Sequence, residues 1–130
     1  YSILGYTKYM LTQRRWPMGK TLERELKRGT LEMVILKLLK ERQMYGYELI
    51  AALDERGGPQ FQIKEGTVYP VLYREEDAGY IEARWETTDR GVPRKYYRLT
   101  ESGTEQLAVL MKEWDKFSSA IDRLLGKEKK

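Results

Sequence analysis

The chain has no cysteine and no histidine among its 130 residues. Without cysteine there is no disulfide framework and no thiolate nucleophile. Without either residue the usual zinc sites, the common nucleophilic triads and the ordinary neutral-pH general base are excluded. No metal or cofactor is expected, and nothing arranges the carboxylates and lysines as a catalytic group, so the chain reads as a non-enzyme. Long apolar runs are also missing. Runs such as Met33-Val34-Ile35-Leu36, which stops at Lys37, are too short to cross a bilayer. No segment has the charged start, apolar middle and small-residue exit of a secretory signal, so a cytoplasmic protein without a membrane role is expected.

Excess charge is scarce too. Lys8, Arg14, Arg15 and Lys20, with no acid among residues 1–20, account for the whole net charge of +4. Beyond Lys20, 20 of the 24 basic residues face all 20 acidic ones. Only local clustering can then support a polyanionic partner. Residues 1–20, with Tyr1, Tyr6, Tyr9 and Trp16 scattered off any helical period, read as an extension. It is either foreign to the natural chain, which would start at Met18, or a basic arm for DNA phosphates.

What is present is helical and then extended. Leu31, Val34, Ile35, Leu38 and Leu39 form one apolar face of a first helix over about Leu22 to Arg42, with Gly29-Thr30 resetting it and Thr30 as an N-cap. A second helix is expected from about Tyr47 to Arg56, with Leu49, Ile50 and Leu53 inward and Gly57-Gly58-Pro59 as its stop. A third runs from about Lys64 to Ala78 with Val68, Val71 and Leu72 buried, and Gly79 closes it. The period then changes. Tyr80 to Thr88 and Arg94 to Leu99 suit strands, joined by the turn Asp89-Arg90-Gly91-Val92-Pro93.

The last helix is expected from Thr100 or Ser102, with Ser102 and Glu105 as a capping box. Leu107, Leu110, Trp114, Phe117, Ile121 and Leu124 then recur at alternating three- and four-residue steps, an a/d seam for self-pairing. The fold class is mainly α with a small β-hairpin: a winged helix-turn-helix over 21–100 and a dimerisation helix with a charged tail over 101–130.

Gly66-Thr67-Val68-Tyr69-Pro70-Val71-Leu72, then Gly79-Tyr80-Ile81, then Arg94-Lys95-Tyr96-Tyr97-Arg98-Leu99-Thr100 and Gly103, resemble the PadR family of bacterial transcriptional regulators. Gly29-Thr30-Leu31 and Tyr45-Gly46-Tyr47-Glu48-Leu49 fit the same pattern, so the resemblance covers about residues 26–125. The short C-terminal part is similar to the family's compact subgroup. The resemblance implies a winged helix, dimerisation through the C-terminal helix, and usually repression relieved by a small molecule. It also implies that Thr67 and Tyr69 stand at the DNA-facing start of the recognition helix, with Arg94 and Lys95 reaching from the wing. Glu75 departs from the pattern, since the family places a large apolar residue there; the helical step from Val68 and Leu72 also makes it a core position, costly for a carboxylate.

The candidate DNA contacts are Lys64, Thr67, Tyr69, Arg74, Arg90, Arg94 and Lys95, on a palindromic double-stranded operator. Thr67 is alternatively an N-cap, and Tyr69 a core residue with its hydroxyl at the rim. Lys64 and Arg74 are outnumbered by Glu65, Glu75, Glu76 and Asp77. Phosphate neutralisation is therefore expected from the wing, where Arg84, Arg90, Arg94, Lys95 and Arg98 outnumber Glu86 and Asp89. The bland reading of that hairpin is a charged, aggregation-resistant edge. Trp114 and Phe117 are candidates for holding a planar hydrophobic effector at the two-fold of a homodimer, although plain dimer packing also accounts for them. A winged-helix module that binds protein rather than DNA is the alternative reading.

Overall fold

The computed structural model describes residues 18–127, with side chains from residue 22 onward. Helix α1 spans Met18–Glu41, strand β1 Met44–Tyr45, helix α2 Gly46–Gly57 and helix α3 Glu65–Asp77. Strands β2 (Ile81–Thr87) and β3 (Pro93–Leu99) follow, and helix α4 occupies Glu101–Leu125. Because α1 starts at Met18, the expected boundary at residue 20 falls inside a helix. The rest of the expected extension lies outside the described residues.

Helix α1 is continuous through Gly29-Thr30. The Thr30 hydroxyl donates to the Leu26 carbonyl at 2.6 Å, a mid-helix bond rather than the expected N-cap. Leu31, Ile35, Leu38 and Leu39 are buried as their spacing predicts, and Leu36 is buried beside them. The stripe is wider than expected because α1 is central, touching α2, α3, α4 and β3.

Helix α2 ends where Gly58 takes a positive φ of 65°, which glycine adopts without strain. A 3-10 turn, Gly58–Phe61, leads on to α3. Val68, Val71, Leu72 and Glu75 form the buried face of α3, so the position that periodicity assigns to the core is in the core.

Residues 44–45 lie outside every element that the sequence pattern predicts, yet they pair with β3 to give an antiparallel sheet of order β1-β3-β2. Two residues carry no alternation from which a strand could be read. In the β2–β3 hairpin, Ala83 faces Tyr97 and Trp85 faces Lys95, while Arg84 faces Tyr96 and Glu86 faces Arg94. Partnered residues share a side of the sheet, so Trp85 and Lys95 lie on one face and Arg84 and Arg94 on the other.

The α4 cap differs from the expected Ser102 box. Thr100 is the N-cap: its Oγ1 accepts from the Gly103 N–H at 3.0 Å and donates to the Gly79 carbonyl at 2.6 Å. Ser102 donates to that same carbonyl at 2.9 Å. The two hydroxyls therefore tie the start of α4 to the end of α3. Gly103 is buried here because a Cβ would lie 2.0 Å from the Tyr80 carbonyl oxygen.

Candidate nucleic-acid interface

Lys64 is the N-cap of α3, in extended backbone, and its carbonyl accepts from the Thr67 and Val68 N–H groups. Thr67 is therefore a first-turn residue with an exposed side chain, not the cap. Pro70 falls in the second turn and deprives the exposed Gly66 carbonyl of its helical donor.

The helix divides the candidate contacts between two flanks. Tyr69, Arg94 and Lys95 line a groove of ≈ 340 Å³ on the wing side, together with Tyr45, Tyr73 and Trp85. Lys64, Thr67 and Arg74 line a larger groove of ≈ 650 Å³ on the α1 side. Arg90 belongs to neither; it is exposed at the wing turn, where Gly91 has φ 77° and donates to the Thr88 carbonyl.

On the wing side Tyr69 is half-buried, its hydroxyl against Gly46: a Cβ on that glycine would stand 2.1 Å from the oxygen. Burial, then the charge of Glu65, raises the phenol's pKa, so the hydroxyl keeps its proton as a donor. Arg94 stacks its guanidinium over the Tyr45 ring, 4.5 Å from the centroid. Tyr45 in turn meets Tyr96 edge-on at 5.4 Å. No local pattern singles out Tyr45 or Trp85, since pairing across the sheet brings them in. Tyr73 sits one helical turn after Tyr69, and that spacing is the signal that could have found it.

The charge pattern differs from the one expected. Arg84 pairs with Glu86 at 2.8 Å, Arg98 pairs with Glu82, and Lys95 pairs with Glu76 at 3.2 Å. Burial, the largest single influence, would lower the Lys95 pKa, but the Glu76 hydrogen bond and charge together with the Tyr97 phenol outweigh it and the pKa is raised. Among the described residues, Arg90 and Arg94 are the wing cations without a carboxylate partner. The strongly basic wing is thus largely neutralised within the hairpin and against α3. Glu82 on the facing strand and Glu76 on α3, both distant in sequence, cancel charges that a local tally counts as free.

The expected acidity of α3 is corrected by the same contacts. Glu76 is matched by Lys95. Glu75 is 2% exposed and neither carboxylate oxygen has a hydrogen-bond partner. Burial, then the nearby Glu32 charge, lifts its pKa to about 9 despite Arg74, so it is protonated and uncharged at neutral pH. The remaining Glu65 and Asp77 balance Lys64 and Arg74.

In α4 the expected seam divides. Leu107 is 2% exposed in the protomer's own core, and Leu110 packs against that core. Leu107 therefore leaves the interface set, because its side chain is already enclosed by its own chain. From Phe117 onward the apolar residues of the seam are exposed. Phe117 is 63% exposed and Leu124 82% exposed, with Ile121 and Leu125 also exposed. Trp114 and Met111 close one side of an apolar groove of ≈ 370 Å³ whose other walls include Met33, Leu38, Leu53 and Phe61. Phe117, the other candidate effector contact, does not line it.

Among the described residues no group of His, Cys, Asp or Glu is placed to hold a metal, and no helix is long and apolar enough to cross a membrane. The profile of the Transcriptional regulator PadR-like family matches residues 35–109. An uncharacterized protein of Lysinibacillus sphaericus is 42% identical over 95 residues, covering 73% of this chain and 87% of its own length. The negative transcriptional regulator PadR of Bacillus subtilis is 31% identical over 77 residues, 59% of this chain and 42% of the relative. The crystal structure of a PadR family transcriptional regulator from Eggerthella lenta superposes with a TM-score of 0.75 at 32% identity, covering 85% of this chain and 95% of the other.

Proposed function

Because the chain belongs to the PadR-like family of transcriptional regulators, we propose that it is a homodimeric, sequence-specific DNA-binding repressor, released from a palindromic operator by a small hydrophobic effector. The observation that carries this reading is the division of labour along the chain. Helix α3 presents Thr67, Pro70, Tyr73 and Arg74 to solvent between two grooves, while α4 presents an apolar stripe that its own protomer leaves uncovered.

Pairing α4 with its copy would bury Trp114, Phe117, Ile121 and Leu124 and place two recognition helices about a two-fold axis, which reads a palindrome. Lys64, Thr67, Tyr69, Arg74, Arg90, Arg94 and Lys95 are the DNA contacts of this proposal. Tyr69 and Thr67 present hydroxyls at the groove face, whereas Arg90 and Arg94 meet phosphate. Lys95 becomes available only when its bond to Glu76 opens.

Repression is the sign of regulation carried by the name of the Bacillus subtilis relative. The effector site of the proposal is the apolar groove at Trp114, next to the dimer helix. A planar ligand there would bear on the α1–α4 junction and shift the relative tilt of the two recognition helices, provided it binds the two arrangements unequally.

The experiment is a footprint on the DNA upstream of the neighbouring gene, with affinity followed against salt and with planar aromatic compounds titrated in. Protection of a palindrome, affinity falling steeply with salt, and release by a compound that loses its effect on Trp114→Ala are the expected results. Salt-insensitive capture of a protein partner with no DNA protection would replace this reading with that of a protein-interaction module.

A further inference from the structure

We propose that the α1 flank of the recognition helix is a second phosphate-binding rim, in which Arg24, Lys27 and Arg28 join Lys64 and Arg74 to hold the DNA strand opposite the one the wing approaches. The inference rests on the DNA-binding reading and adds to it a surface that neither the wing nor the exposed face of α3 supplies.

The groove of ≈ 650 Å³ between α1 and α3 is lined by these five cations and one acid, Glu23. Lys27 is fixed in place: its ammonium donates to the Gln62 carbonyl at 3.1 Å and pairs with Glu23 at 3.2 Å. Arg28 is exposed and only loosely engaged, 3.7 Å from Glu25. Arg24, Lys64 and Arg74 have no carboxylate partner among the described residues. On the wing, by contrast, two cations are left without a carboxylate partner among the described residues, Arg94 beside the groove and Arg90 at the turn. The richer store of uncommitted positive charge therefore lies on the side of α3 away from the wing.

Geometry assigns it to DNA backbone. A helix with its side chains is about 10–12 Å across and the major groove about 12 Å wide, so an inserted helix has a phosphate strand along each side. Gly66 and Thr67 floor the α1 groove at the helix entrance, and nothing lies within 4 Å of where a Gly66 Cβ would stand. Backbone can therefore approach the first turn of α3 from this side while the arginines of α1 close over it. Contacts of this kind position the protein on the duplex and carry no base information.

The test compares the full-length protein with Arg24→Gln/Arg28→Gln and with Arg90→Gln/Arg94→Gln. Two probes are used: a duplex enriched by the unaltered protein from a random pool, and bulk random-sequence DNA. For the α1 variant the slope of log Kd against log salt is expected to shrink by about 0.9 for each phosphate that is no longer neutralised, with a similar fold-loss on both probes. Glu23→Gln, which removes the one acid of the rim, is expected to tighten binding to both. The four arginines lie at the surface, so matching thermal transitions would verify the fold. An α1 variant that keeps the parental slope and affinity while the wing variant loses them overturns the proposal and leaves the DNA reading standing. If the unaltered protein binds neither duplex in a salt-dependent way, the DNA reading fails and this inference fails with it.

Discussion

Lys95, on the return strand of the wing, donates to the Glu76 carboxylate 3.2 Å away in the last turn of the recognition helix. The same ammonium lies 5.3 Å from the centre of the Tyr97 ring and 5.7 Å from that of Tyr73. One side chain thus fixes the wing root to the helix that the wing flanks.

Glu76→Gln is expected to release Lys95 and remove a negative charge from the interface. DNA affinity should rise and the salt slope steepen by about 0.9 per protomer if Lys95 takes up a phosphate. The pair is partly exposed, so the stability loss should stay within about 1 kcal/mol. Fluorescence anisotropy on a labelled duplex at several salt concentrations is the measurement. Weaker binding with an unchanged fold would show instead that the bond is needed to aim the wing.

Glu75 makes stability depend on pH in an unusual direction. In the unfolded chain its carboxyl ionises near 4.5, in the folded chain near 9. Between these values the folded form holds a proton that the unfolded form has lost, so raising the pH favours unfolding through this group. Its contribution is fully present below the lower value and is lost as pH rises through the upper one, with a slope of at most about 1.4 kcal/mol per pH unit. Glu75→Leu is expected to flatten the dependence and to stabilise the fold by about 1–3 kcal/mol, because two unpaired buried oxygens are removed. Melting curves for parent and variant across the neutral range decide it, and an unchanged or lower variant Tm would refute the assignment.

Gly103 is fixed by close approach rather than by turn geometry. A methyl group there would meet the Tyr80 carbonyl oxygen at 2.0 Å and Leu99 Cδ1 at 2.6 Å. Gly103→Ala should cost roughly 1–3 kcal/mol by overpacking, although alanine favours helices. Urea denaturation measures it, and a stabilised variant would contradict the packing described.

Phe117→Glu/Leu124→Glu should yield a folded monomer with DNA affinity much reduced, since both residues are solvent-facing in the protomer and are proposed to pair across the two-fold. Leu107→Ala, one end of the same sequence stripe, should instead cost about 2–5 kcal/mol of protomer stability. Sedimentation together with chemical denaturation separates the two effects. A dimer that survives both charges would place the interface elsewhere.

Much of this fold is legible in the residue pattern. The periods of α1 to α4, the turn at Gly91 and the burial of Glu75 follow from spacing alone, because helix and strand repeats dictate which side chains share a face. The short strand at Met44–Tyr45 is not legible, since two residues have no period. Nor is the cap of α4: Thr100 and Ser102 both carry hydroxyls that can cap, and only the position of the Gly79 carbonyl shows which one accepts from the helix and how both are tied down.

The sequence by itself determined the helix–helix–helix–hairpin–helix order, the missing thiol and imidazole chemistry, and the apolar stripe of the last helix, all properties of residue type and local spacing. Tertiary structure decided where charge is free. Glu76 and Glu82 each cancel a wing cation brought close by the fold, and burial takes the charge from Glu75. It also decided where one apolar stripe changes from core at Leu107 to open surface at Phe117. Coulomb interactions and desolvation depend on distance and enclosure, which a linear chain does not contain.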